Sequence, residues 1–141
     1  MLEIVCEKNL FFSDAGSFSC TLYWRTEEGA FPAEGWTDFA GVLLKWWTDA
    51  YFCLNGSTAA EFLFMDGPYR IRAVREGESV RCAFLRDEIR ILPDQSMELD
   101  ELRAALICAV RRLKSGLSQA DRKADAEQAG ELLNRLKIVS G

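Results

Sequence analysis

The stretch Trp36–Asn55, WTDFAGVLLKWWTDAYFCLN, decides how the rest of the chain is read. Its apolar residues Phe39, Val42, Leu43, Trp46, Trp47, Ala50, Tyr51 and Leu54 recur at i, i+3, i+4 and i+7, the spacing of one helix face. Thr37 or Asp38 is placed to cap its start by accepting a backbone N–H, and Asn55-Gly56 to supply a left-handed stop. Leu44, Phe52 and Cys53 widen the apolar face, leaving Asp38, Gly41, Lys45, Thr48 and Asp49 as a narrow polar strip. Trp46 and Trp47 project about 100° apart on a helix. Both are buried only if the helix is covered on more than one side. The stretch predicts a central core helix, and it carries no chemistry of its own.

Before it, Leu2–Cys6 and Leu10–Phe12 are strand-like, with Asp14-Ala15-Gly16 as a turn. Phe18–Thr26 alternates, Phe18, Cys20, Leu22 and Trp24 on one face and Ser19, Thr21, Tyr23 and Arg25 on the other. That is a half-buried strand, paired with the first as a hairpin. Residues 27–35, EEGAFPAEG, read as a loop. After the helix, Thr58–Met65, Tyr69–Arg75 and Ser79–Arg86 read as successive strands separated by Asp66-Gly67-Pro68 and Glu76-Gly77-Glu78. A short strand over Glu88–Leu92 is ended by Pro93. Ser96 is placed to cap a helix with the stripe Leu99, Leu102, Leu106, Ala109, Val110 and Leu113, which Gly116 stops. Ser118 opens a last helix to about Lys137, with Ala126, Ala129, Leu132, Leu133 and Leu136 inward.

Short connections between strands favour antiparallel pairing. The expected class is α+β, with all 141 residues in a single domain: a meander sheet of five or six strands, the Trp-rich helix packed on it, and a C-terminal helical hairpin.

Hydrophobic residues at 49% and charged residues at 28% give a globular composition. The net charge of −5 argues against general nucleic-acid binding, which needs clustered cations, and suits a basic protein partner. Met1-Leu2-Glu3 opens without the basic start and apolar run of a secretory leader. Lys45 and Asp49 interrupt the most apolar stretch, so no membrane span is expected. The cysteines Cys6, Cys20, Cys53, Cys82 and Cys108 are odd in number and scattered among apolar residues, which reads as reduced thiols in a cytoplasmic protein.

The chain has no histidine, which removes Ser-His-Asp triads, Cys-His dyads, histidine bases and histidine metal ligands. It has no C-x-x-C pair, dinucleotide fingerprint, phosphate loop, nucleophile elbow or calcium loop. No catalytic residue, metal site or cofactor is expected.

Two surface constellations stand out. The loop carries Glu27, Glu28 and Glu34 with Phe31 and Trp36 interleaved, placing acids and aromatics directly before the rigid helix. Such a set suits a partner-binding loop, and equally a solvated loop whose aromatics tuck into the core. The second is Arg70, Arg72, Arg81 and Arg90, expected on the outward faces of successive strands. A row of arginines can hold the phosphates of a small ligand or nucleic acid, or form an ordinary solvated sheet face.

Gly35-Trp36-Thr37-Asp38-Phe39, Trp46-Trp47 and Phe64-Met65-Asp66-Gly67-Pro68-Tyr69 together resemble small bacterial proteins of the immunity type, from polymorphic toxin systems. The resemblance spans about residues 35–92. It implies a cytoplasmic, non-catalytic protein that binds and blocks a toxin domain, and it transfers no binding residues. Two readings stand: an inhibitor of a protein partner, or a small-ligand or nucleic-acid binder using the arginine face.

Overall fold

The computed structural model describes residues 2–138. Its first sheet is built on one long strand, β3 (Phe18–Thr26). β1 (Glu3–Cys6) and β2 (Phe11–Phe12) run antiparallel along one edge of it, and β4 (Gly29–Phe31) and β5 (Thr37–Asp38) along the other. The backbone shows the two edges: Thr21 O accepts from Glu7 N–H on one side, while Leu22 N–H donates to Trp36 O on the other. The second sheet is the meander β6 (Ala59–Leu63), β7 (Tyr69–Glu76), β8 (Ser79–Arg86) and β9 (Ile89–Glu98), in that order. The class is α+β as the sequence predicts, with the strands divided between two antiparallel sheets.

The Trp-rich helix is α1, Ala40–Gly56, and it touches β3, β6 and both later helices. Leu43, Leu44, Trp47 and Leu54 are fully buried on it. Its start departs from expectation. Trp36–Asp38 lie in extended backbone because β3 needs an edge partner there, so neither Thr37 nor Asp38 is the cap; Phe39 is, with no side-chain cap bond. The helix ends at Gly56 as expected, but Ser57 leaves in extended conformation, φ −142°, with no left-handed residue. The Arg75 guanidinium satisfies Leu54 O at this end, at 2.9 Å.

The core between the sheets and α1 is aromatic. Trp24 meets the rings of Trp47, Phe62 and Phe84 at centroid distances of 5.9, 5.3 and 6.4 Å, all edge-on. Trp47 Nε1–H donates to Leu63 O at 2.8 Å, so the helix also covers part of the free edge of β6.

α2 (Leu99–Gln119) and α3 (Lys123–Ile138) form the helical hairpin. Every residue of both expected stripes is buried. The boundaries differ. β9 runs through Pro93 to Glu98, since a sheet-edge residue can lack an N–H, and the ladder to β8 is irregular around it. Ser96 therefore pairs with Arg81 and does not cap α2. Gly116 lies inside α2, buried where a Cβ would meet Leu10 Cδ1 at 3.3 Å; it permits close packing and does not stop the helix. Ser118 consequently belongs to α2, and Arg103 caps the end of α3 through Leu136 O and Lys137 O.

Candidate protein-docking surface

The expected acidic loop is a structured hairpin. Thr26 pairs with Gly29, which leaves Glu27-Glu28 as its turn. Thr26 Oγ1 accepts from Glu28 N–H at 3.1 Å and donates to Gly29 O at 3.0 Å, which closes the tip. Gly29 has φ +139°, a conformation side chains rarely adopt. A Cβ there would meet Leu92 Cδ2 at 3.4 Å, so the hairpin lies directly on β9. Glu27 and Glu28 are both exposed.

The five loop residues do not act together. Phe31, read as a contact residue, is fully buried, packed on Phe64, Tyr69 and Phe84 at 5.5, 5.8 and 5.3 Å, so it offers nothing to a partner in this conformation. Its place is set by pairing with Trp24 across the hairpin, a register that residue type alone does not reveal. Glu34 is exposed but belongs to Arg25, 3.1 Å away, which also holds Glu3 and the Tyr23 hydroxyl. Burial, helped by the Glu34 carboxylate, holds the Tyr23 phenol above its ordinary range.

Trp36 is half-buried, its ring 5.2 Å from Tyr69 and its Nε1–H donating to Asp38 Oδ2 at 3.1 Å. The same Asp38 carboxylate, 2% exposed, accepts from Phe39 N–H at 2.8 Å and from Asp66 N–H at 3.2 Å. It joins the start of α1 to the β6–β7 turn. This role is structural, and the adjacency of Asp38 to the helix start was its only sequence signal.

The arginine face exists and is neutralised. Arg70 and Arg72 lie outward on β7, bridged by Glu61 and Glu88: Arg70–Glu61 3.3 Å, Arg72–Glu88 3.2 Å, Arg72–Glu61 3.9 Å, and a direct Arg70–Glu88 pair. Arg81 faces Glu76 at 3.9 Å and Arg90 holds Asp94 at 2.9 Å. A phosphate there would have to displace carboxylates already paired with all four guanidiniums. Arg72 pairs across from Ala83, and Arg70 and Arg90 from Leu85; both apolar residues are buried.

Sequence reasoning missed the apolar neighbour of the hairpin. Ile89 and Ile91, at the start of β9, are 69% and 40% exposed. β9 pairs with β8 alone among the described residues, so these side chains sit at a sheet edge. Their apolar character in a strand signalled core; only the strand order exposes them. The acidic turn adjoins Gly29, whose backbone faces Leu92 on the same strand that carries the exposed isoleucines.

Among the described residues no three His, Cys, Asp or Glu side chains gather as a metal-holding group. No helix among them is long and apolar enough to cross a membrane. Compared with models of known protein families, with curated proteins and with solved structures, the chain matches none.

Proposed function

We propose that this chain is a non-catalytic binding protein that docks a basic protein partner, in the manner of bacterial immunity proteins that neutralise a toxin domain. The observation that carries the reading is that the exposed Glu27-Glu28 turn adjoins Gly29, whose backbone faces Leu92 on the strand that carries exposed Ile89 and Ile91. Apolar side chains at an interface resist dissociation once desolvated, while surrounding acids accelerate the approach of a cationic partner. The acids of such a surface would take the place of nucleic-acid phosphates if the partner is a nuclease. The ion-paired state of Arg70, Arg72, Arg81 and Arg90 favours this reading over a phosphate-binding one.

The test begins with affinity capture from the native host, comparing wild type with a Glu27→Lys, Glu28→Lys chain and an Ile89→Ser, Ile91→Ser chain. Association of the captured partner is then followed at two ionic strengths. The charge reversal is expected to slow association about tenfold at low salt and to flatten its salt dependence. The serine pair is expected to speed dissociation instead. Unchanged rates in both chains would remove this surface from the docking site. Recovery of nucleotide with no stoichiometric protein would reject the class.

A further inference from the structure

Two thiols meet where the ladder between the N-terminal strands and β3 breaks. Cys6 and Cys20 are both fully buried, and their Sγ atoms lie 3.9 Å apart in mutual hydrogen-bond contact. A disulfide needs about 2.05 Å, so closure requires the two sulfurs to move together from 3.9 Å. The backbone here is not locked by regular pairing. Cys6 pairs with Leu22 and Phe11 with Ser19, so the four residues 7–10 on one side run against the two residues 20–21 on the other. Across the gap the strands are joined by Glu7 N–H to Thr21 O and by the Asn9 amide. That amide accepts from Thr21 N–H and donates to the Thr21 hydroxyl.

We propose that Cys6 and Cys20 form a redox-modification site, a buried dithiol that hydrogen peroxide converts to an intrachain disulfide tying β1 to β3. One sulfur, as thiolate, attacks a peroxide oxygen; the O–O bond breaks, giving a sulfenic acid and hydroxide, which takes up the proton lost from that thiol. The second sulfur then displaces the sulfenic hydroxyl, which leaves as water with the second thiol's proton. Two thiols lose two protons and two electrons, and one peroxide becomes two waters.

The surroundings decide which oxidant works. The bond to Cys20, followed by burial, holds the Cys6 thiol far above its ordinary range, so the thiolate is scarce and oxidation slow. A small neutral oxidant can reach sulfurs that have no exposed surface, whereas a bulky disulfide cannot. Cys53 and Cys108 are the opposite case, exposed and open to bulky reagents. Cys82 is equally buried, its thiol pushed up to about 12 by burial, and it makes no hydrogen bond to a second thiol among the described residues. It is an internal control.

The experiment uses the full chain carrying Cys53→Ser and Cys108→Ser, with wild type treated in parallel. Each is exposed to hydrogen peroxide, quenched, unfolded, alkylated and mapped by mass spectrometry after proteolysis. The expected product has lost two hydrogens, contains linked Cys6 and Cys20 peptides, and retains an alkylated Cys82. Its melting temperature rises and returns to the starting value in reductant. Adding Cys20→Ser abolishes the linked peptide. Three alkylated thiols after the full peroxide course, or Cys6 carried to sulfinic acid without a bridge, would overturn the proposal. So would a bridge through Cys82.

Discussion

Trp46 and Trp47 are adjacent and chemically identical, yet their energetic roles differ. Trp47 is fully buried, edge-on to Trp24 and Phe64, and bonded to Leu63 O, while Trp46 is 38% exposed. Trp47→Ala should cost roughly 3–5 kcal/mol in urea denaturation, and Trp46→Ala less than about 1 kcal/mol. Equal costs would mean that the helix is rotated from the orientation seen here. Asp38 is the polar counterpart. Its buried carboxylate serves three part-buried donors, so Asp38→Ala should cost roughly 3 kcal/mol by leaving them unpaired. Asp38→Asn, which keeps one acceptor oxygen, should fall between. A neutral Asp38→Ala would show that water replaces the carboxylate.

The elements are fastened to one another by charged side chains from distant parts of the chain. Asp49 on α1 pairs with Lys45 one turn before it and with Arg135 on α3, at 3.2 and 3.0 Å, and Arg135 also lies over the Phe52 ring at 5.1 Å. Burial pushes the Asp49 pKa up, but hydrogen bonds from Arg135 and Lys45 outweigh it and hold the group below its ordinary value. A lowered carboxylate pKa stabilises the fold above the unfolded value of about 3.9, and the contribution is lost as pH falls through the folded value. Asp49 is 46% exposed, so the effect is screened to about 0.5 kcal/mol. Asp49→Asn should therefore lose a little stability near neutrality and match wild type in acid. Melting curves across that range decide it, and a gap that widened in acid would contradict the pairing.

For the molecule as a whole, the buried state of Cys6, Cys20 and Cys82 and the free state of all five cysteines make the purified protein indifferent to reductant. Five thiols should titrate after unfolding, and melting should not move when reductant is added before any peroxide treatment. A lower melting point in reductant would reveal a bridge already present. Docking belongs to the same scale. The acidic turn lies at residues 27–28 and the isoleucines at 89 and 91, so the proposed surface exists only when the first sheet's hairpin rests on the second sheet. Gly29→Ala, strained at φ +139°, should disturb that seat and cost about 1 kcal/mol, with weaker partner binding measured on the folded fraction.

Periodicity alone was sufficient for the inward stripes of α2 and α3 and for the inward residues Ile71, Ala73, Val80, Cys82 and Phe84; on α1 it also counted Val42 and Trp46, which the structure leaves exposed. Burial of alternate or helically spaced side chains is a local property of the pattern. Composition likewise determined that histidine-based chemistry has no residues to use. Tertiary structure decided everything that depends on what lies opposite. It buried Phe31 and exposed Ile89, because strand order and hairpin register, not residue type, choose the neighbour. It turned Asp38 from an expected cap into a clamp, since β3 claimed the backbone of Thr37–Asp38 as an edge strand. It neutralised the arginine row with Glu61 and Glu88, which lie on other strands and turns. It also carried α2 past Gly116, because the helix was held by packing against Lys8 and Leu10, contacts more than a hundred residues away in the chain.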